Sequence, residues 1–292
     1  MAGPGFGALL RHWRVVRRLS QLELSATTGV STRHLSFLET GRSQPSRQIV
    51  LFLAEQLDVP LRDRNELLMS AGFAPSYGAR KLDDPAMSAV RDSIGRLLAA
   101  HEPYPALVMD VRWNRLLAND GARILVRGVA PFLLAEPVNV LRLTLHPEGM
   151  APRIVNLADW SAHVLRQVQR RAALTGDAEM ARLYHELASY PGVIRPDPGS
   201  GQVAGSGLDG PGLDGPGLDG PGLDGPGPDG APVVLPLRYR SDDQVLSFLS
   251  TTTSFGAPLD ATLSEVVIDS LYPADEPTRL ALLRAARPLP DG

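Results

Sequence analysis

The chain of 292 residues contains no cysteine. This absence excludes disulfide bonds and thiolate metal ligands, and it is typical of a cytoplasmic protein. The sequence also lacks an apolar run of roughly 18 residues, so we expect no transmembrane helix. Its first segment is interrupted by Arg11 and His12 and has no apolar signal-peptide core. We therefore expect a cytoplasmic protein with no membrane partner.

Catalytic and cofactor-binding patterns are also missing. No two histidines are spaced three or four residues apart, which a metal site on one helix face requires; they are His12, His34, His101, His146, His163 and His185. No nucleophile elbow, phosphate-binding glycine loop or dinucleotide fingerprint occurs. Asp159, Ser161 and His163 are close in sequence, but on one helix they would not converge into a triad. The sequence thus predicts no enzyme, no cofactor and no metal.

Charge is unevenly distributed along the chain. Residues 1–80 carry 10 Lys and Arg against 6 Asp and Glu, a net charge of +4. The remaining residues carry 19 against 26, a net charge of −7, and the whole chain has a net charge of −3. The asymmetry favours a first domain that faces DNA and a second domain with a different task.

The strongest local signals lie in the stretch LSQLELSATTGVSTRHLSFLETGRSQP. Ser20 and Glu23 have the spacing of a capping box, which predicts a helix beginning at Ser20. Gly29 should end this helix, because the following turn needs a positive φ. Ser31 then caps a second helix that runs to about Glu39. Two short helices joined by a glycine-containing turn are typical of a helix-turn-helix, whose second helix enters the DNA major groove.

Helical periodicity extends to both sides of this motif. We predict a first helix over 6–18, a fourth from Ser46 to about 57, and a fifth over 61–71. In the motif, the apolar positions that should face the core are Leu24, Val30, Leu35 and Leu38. Five helices in this length predict an all-α five-helix DNA-binding domain over residues 1–74. The glycines and prolines that follow predict a linker over 75–86.

These residues resemble the lambda-repressor/Cro-like regulators, the XRE type, over about residues 6–72. The sequence LETG matches the LExG ending of the family's recognition helix, and Gln21 matches the polar residue that opens its second helix. The run STRHLSFLETGRSQPSR is more similar still to the MmyB-like branch. Regulators of that branch carry a PAS-like ligand-binding domain after the DNA-binding domain.

The resemblance also implies which residues face DNA. The side chains expected to read bases are Thr32, Arg33, Ser36 and Phe37. The side chains expected to contact phosphates are Gln21, Ser31, Arg42 and Arg47. The partner is then a double-stranded DNA operator.

A second domain is predicted over 87–292. It should contain helices over 87–101, 120–126, 157–174, 178–189 and 276–286, and strands over 106–110, 116–118, 233–239, 244–253 and 262–271. The order of strand, turn, strand, Asn119 and helix is similar to the opening of a PAS-like domain. We therefore expect an α+β PAS-like domain, an antiparallel sheet with flanking helices, that serves ligand binding and dimerisation.

One low-complexity tract interrupts this domain, where GLDGP occurs four times over 207–226. Collagen needs glycine at every third residue, so a period of five excludes it. Each unit is also too short and polar to bury a face in a solenoid. The composition predicts a disordered surface loop over about 198–232.

Together these features predict a sequence-specific DNA-binding transcription regulator that acts as a homodimer. The family resemblance implies control by a small apolar, fatty-acid-like ligand, and the sequence names no residue of its pocket. The alternative is a protein–protein interaction adaptor that retains the helix-turn-helix fold without DNA binding. An adaptor would need an acidic or apolar recognition face, whereas this one carries Thr32, Arg33 and Ser36, with Arg42 and Arg47 close behind.

Overall fold

The computed structural model describes residues 4–196, 235–255, 258 and 260–286. The chain divides into two compact units. The first contains the described residues up to 95 together with those of 170–178 and 254–266, and the second contains the rest. The GLDGP repeats and the loop predicted over 198–232 lie outside the described residues.

The first unit begins with five α-helices. All five predicted helices are confirmed, with ends that agree to within about two residues: α1 Phe6–Val16, α2 Gln21–Thr28, α3 Thr32–Glu39, α4 Arg47–Gln56 and α5 Leu61–Ser70. Their apolar faces meet in one core that includes Leu10, Trp13, Leu24, Leu35, Leu38, Leu53 and Leu68. Val30 packs against this core but is only partly buried.

The segment that follows α5 folds back onto it. The side-chain oxygen of Asn65 accepts hydrogen bonds from the backbone N–H groups of Ser76 and Tyr77, at 2.9 and 3.1 Å. The Asn65 amide nitrogen donates to the carbonyl oxygen of Tyr77 at 2.8 Å. Phe73 packs against the helical core. The first residues of the predicted linker, 75–86, are therefore held against α5 by hydrogen bonds.

In the part of the chain that the structure describes, six further α-helices and five strands follow. The helices are α6 Ser88–Ala100, α7 Val140–Leu145, α8 Leu157–Thr175, α9 Ala178–Leu187, α10 Ala261–Ser264 and α11 Glu276–Ala285. The strands are β1 Ala106–Met109, β2 Arg115–Ala118, β3 Leu237–Ser241, β4 Gln244–Ser254 and β5 Val267–Pro273. They form one sheet in the order β2-β1-β5-β4-β3, and β1 pairs antiparallel with β2 and β5, as β3 does with β4. The predicted fold class, five helices followed by an α+β domain with an antiparallel sheet, is confirmed.

The core of the second unit lies against the β3–β4 hairpin. Tyr239, Leu246 and Phe248 are fully buried there. They pack with Leu271 of β5 and Leu282 of α11. Alternation explains the hairpin, because every second residue of β3 is buried and the residues between them are exposed.

Three local predictions for the domain predicted over 87–292 are corrected. The strand predicted over 262–271 begins only at Val267, because the Asp260 carboxylate accepts hydrogen bonds from the N–H groups of Thr262 and Leu263 and so caps α10. The helix predicted over 120–126 is a 3-10 helix over Asp120–Leu125, although Asn119 does cap it through the Ala122 N–H. Strand β3 begins at Leu237 rather than 233, and residues 233–234 lie outside the described part.

Helix α7 and the short 3-10 turns Pro131–Leu134 and Ala151–Arg153 were not predicted.

Asp269 lies on β5, the central strand of the sheet. Its carboxyl group leads us to expect a stability that depends on pH. Asp269 on β5 accepts a hydrogen bond of 2.6 Å from the Ser250 hydroxyl on β4, and burial raises the pKa of Asp269 to about 6. A carboxyl group with a pKa above its unfolded value, about 3.9, binds protons more tightly in the folded state. Its ionisation therefore lowers stability as pH rises from about 4 to about 6, and the whole penalty remains at neutral pH.

We therefore expect Asp269→Asn, which keeps an oxygen for Ser250, to stabilise the protein by about 2–3 kcal/mol at pH 7. The gain should disappear below about pH 4. Urea denaturation of both proteins across this pH range measures it. Asp92→Asn, at an exposed position of α6, is the control and should show no such pH dependence. A difference between Asp269→Asn and the parent that stays constant with pH would contradict the assignment.

Candidate nucleic-acid interface

The α2–turn–α3 segment is built from the local signals that the sequence carries. The Glu23 N–H donates to the Ser20 hydroxyl at 3.1 Å, and the Ser20 N–H donates to the Glu23 carboxylate at 2.6 Å, so the predicted capping box is confirmed. Gly29 ends α2 with a φ of 71°. The Ser31 hydroxyl then caps α3 by accepting from the His34 N–H at 3.3 Å. These contacts fix the angle at which α3 leaves the turn.

The two faces of α3 differ in burial and chemistry. Leu35 and Leu38 are buried in the helical core. On the opposite side Arg33 is exposed, while Thr32, Ser36 and Phe37 are half-buried. The Arg33 guanidinium lies over the Phe37 ring, 5.4 Å from its centroid. A cation–π contact of this kind restricts the guanidinium without consuming its hydrogen-bond donors.

A buried ion pair joins α1 to the end of α3. The Arg14 guanidinium donates two hydrogen bonds to the Glu39 carboxylate, at 2.6 and 2.9 Å, and the Gln21 amide nitrogen donates to the same carboxylate at 2.8 Å. The side chains of Arg14 and Glu39 are only 12% and 4% exposed. Helical periodicity does not reveal this pair, because its two residues are 25 positions apart in sequence.

The pKa values of this pair reflect its geometry. The hydrogen bond to Glu39 raises the pKa of Arg14 above its ordinary value, although burial acts in the opposite direction. Burial alone would raise the pKa of Glu39, but hydrogen bonds from Arg14 and Gln21, together with nearby positive charge, hold it below its usual range. Both groups are therefore charged at neutral pH.

The backbones of α1 and α3 approach each other closely at Gly7. A Cβ atom at this position would lie 2.5 Å from the carbonyl oxygens of both Leu38 and Glu39. No side chain fits into that space, so the glycine is what allows the start of α1 to lie against the end of α3. Together with the Arg14–Glu39 pair, this contact sets the position of the recognition helix.

The four residues expected at phosphates fall into different settings. Arg42 is exposed, and its backbone N–H donates to the Phe37 carbonyl oxygen at 2.8 Å. Arg47 already donates to the Ala74 carbonyl oxygen at 2.8 Å and to the Ser76 hydroxyl. Gln21 is held by Glu39, and Ser31 is occupied as a helix cap. Two of these side chains are therefore positioned by protein contacts that the sequence did not predict.

The described residues also bear on metal binding and on insertion into a membrane. Within them, no group of three or more His, Asp or Glu side chains is arranged to hold a metal ion. Of the helices in this part of the chain, none is long and apolar enough to cross a membrane.

Comparison with known families finds two matches, one in each half of the chain up to residue 206. Residues 10–63 match the helix-turn-helix family model. Residues 90–206 match the model of the MmyB-like transcription regulator ligand binding domain. No curated protein matches the chain. Both families are regulatory domains rather than enzymes.

Proposed function

Because the chain belongs to the XRE-type helix-turn-helix regulators of the MmyB-like branch, we propose that this transcription regulator binds a specific double-stranded DNA operator through α3. One observation carries the proposal: the outward face of α3 presents the exposed Arg33, held over Phe37, while the opposite face is anchored in the core. A guanidinium at this position can pair bidentately with O6 and N7 of guanine in the major groove. The Thr32 and Ser36 hydroxyls beside it can contact neighbouring bases.

Substitution of Arg33 tests this reading. Arg33→Ala should weaken operator binding by about 1–3 kcal/mol and relax the preference at one base pair of each half-site. Binding to random DNA should change far less. Fluorescence anisotropy on operator and random duplexes measures both, and Arg123→Ala, an exposed arginine of the second unit, is the matched control. Equal weakening on operator and random DNA would show that Arg33 contacts only a phosphate.

Gln21, Ser31, Arg42 and Arg47 are proposed to position the DNA backbone. Phosphate contacts are largely electrostatic and carry no base information. Arg42→Ala and Arg47→Ala should therefore weaken all DNA alike and reduce the slope of log K against log salt by about one each. Since Arg47 also bonds Ala74 and Ser76, its removal should cost about 1 kcal/mol of stability, which removal of Arg42 should not. A salt slope unchanged in both variants would refute the placement.

The second domain is proposed to bind a small apolar ligand and to form a homodimer. The match to the MmyB-like ligand-binding family supports ligand control. Dimerisation is supported by geometry, because one short recognition helix reads few base pairs, and a dimer reads two half-sites about one helical turn apart.

A further inference from the structure

A cleft in the second unit is lined by an unusual set of charges. Its volume is about 380 Å³, and its walls come from a loop, a short turn and the β3–β4 hairpin; the lining residues are Arg127, Gly128, Arg153, Arg240, Ser241 and Asp242. Three arginines thus face one carboxylate. This excess of positive charge lies in the part of the chain, residues 81–292, whose net charge is −7.

Arg153 is the fixed element of the cleft. One nitrogen of its half-buried guanidinium donates to the Tyr239 hydroxyl at 3.1 Å, and that hydroxyl donates to the Leu125 carbonyl oxygen at 2.9 Å. Tyr239 is fully buried, so the chain of hydrogen bonds is anchored in the core. Among the residues that the structure describes, no carboxylate forms an ion pair with Arg153. Its charge is therefore oriented but not neutralised.

Gly128 makes room for this guanidinium. Its φ is 67°, and a Cβ atom there would lie 2.6 Å from Nη2 of Arg153. Without a side chain at 128, the guanidinium lies along the loop and faces the cleft.

The other charges of the cleft can rearrange. Arg127 and Asp242 are 3.8 Å apart, and their side chains are 59% and 81% exposed, so their attraction is weak and easily replaced. Arg240 is exposed on β3. An anion that entered the cleft could take over Arg127 from Asp242 and meet Arg153 and Arg240 as well.

We propose that this cleft binds a small molecule through a dianionic oxyanion group, as in a phosphate monoester. The net charge of the lining, three arginines and one aspartate, is +2, which a dianion balances. Guanidinium groups match the oxygen geometry of phosphate and bind it bidentately, and the volume is in the range of small-molecule sites. We propose this site in addition to operator binding through α3 and to the binding of a small apolar ligand by the second domain. A nucleic-acid backbone fits less well, because Asp242 and Asp243 on the hairpin turn would repel a polyanion.

Inorganic phosphate is the first probe, titrated into the full-length protein at constant ionic strength by calorimetry and thermal shift. We expect saturable binding of phosphate and of sulfate, with a rise in melting temperature that follows their concentration. Acetate, a monoanion, should bind about tenfold more weakly.

Substitutions locate the binding. Arg153→Gln and Arg240→Gln should each weaken phosphate binding about tenfold, and Asp242→Asn should strengthen it. Arg240 is exposed, so its variant tests the site without disturbing Tyr239. Arg123→Gln is the matched control, since this arginine is exposed in the same unit and pairs with Asp120, outside the cleft.

Three results would overturn the proposal. One is the absence of saturable phosphate and sulfate binding to the parent protein. Another is a loss of phosphate affinity in Arg123→Gln equal to that in Arg240→Gln. This would show that binding depends on the overall charge of the protein and not on the cleft. The third is weaker binding of random DNA by Arg240→Gln without any change in phosphate affinity, which would make the cleft a nucleic-acid contact. Because operator binding by Arg33 variants is measured separately, failure here leaves the proposed function standing.

Discussion

Glu39→Ala should destabilise the protein by about 3–5 kcal/mol, the largest effect that we expect from one side chain. The change leaves the Arg14 guanidinium buried without its carboxylate and removes the acceptor of the Gln21 amide. An unpaired buried charge costs more than the pair contributes, so the loss should exceed that of any exposed ion pair. Urea denaturation followed by circular dichroism measures it.

Matched variants separate this explanation from a general effect of losing an acid. Glu55→Ala, at an exposed position of α4, should change stability by less than about 0.5 kcal/mol. The double variant with Arg14→Met and Glu39→Leu should recover much of the loss, because no buried charge then remains. The ion pair has no such structural role if Glu39→Ala behaves like Glu55→Ala.

The same pair predicts acid sensitivity of the first unit. The folded-state pKa of Glu39 is held below its usual range. Its stabilising contribution is therefore complete above the unfolded value, about 4.3, and is lost as pH falls through the folded value. The contribution of Asp269 to stability changes with pH in the opposite direction, because the pKa of Asp269 is raised.

Gly7→Ala should also destabilise the protein strongly, with a loss of about 1–3 kcal/mol or more. Alanine favours a helix interior over glycine by up to about 1 kcal/mol. At Gly7, however, the added methyl group meets the carbonyl oxygens of Leu38 and Glu39 at 2.5 Å. These are backbone atoms, so α1 and α3 must move apart, and operator binding should weaken along with stability.

Gly95→Ala provides the control for this substitution. Gly95 lies inside α6, and a Cβ atom there would have no neighbour within 4 Å. The same chemical change should therefore stabilise the protein by about 0.5–1 kcal/mol. Stabilisation by both substitutions would mean that the close approach of α1 and α3 imposes no constraint.

The elements that the sequence predicted well are those specified by neighbouring residues. The Ser20–Glu23 capping box, Gly29 and the Ser31 cap act within four residues of the backbone that they shape, so their effect can be read locally. The outward position of Arg33 follows from the buried stripe of the same helix. Local reading failed at the start of the strand predicted over 262–271, where the Asp260 side chain caps a helix instead.

The features that were not predicted depend on residues far apart in sequence. Arg14 on α1 meets Glu39 on α3, with the whole of α2 between them in sequence, and Arg47 bonds a segment that lies 27 residues further on. The arginine cleft is assembled from three separate segments. Periodicity identifies the buried face of an element, but it does not identify the partner that covers it.

Selection of bound sequences from a pool of random DNA duplexes tests the central claim most directly. The full-length protein should enrich one palindromic motif, with two half-sites about one helical turn apart. Arg33→Ala should enrich the same motif with a relaxed base at one position of each half-site. Recovery of no motif by a protein that is folded and stable would contradict the account and favour the interaction adaptor.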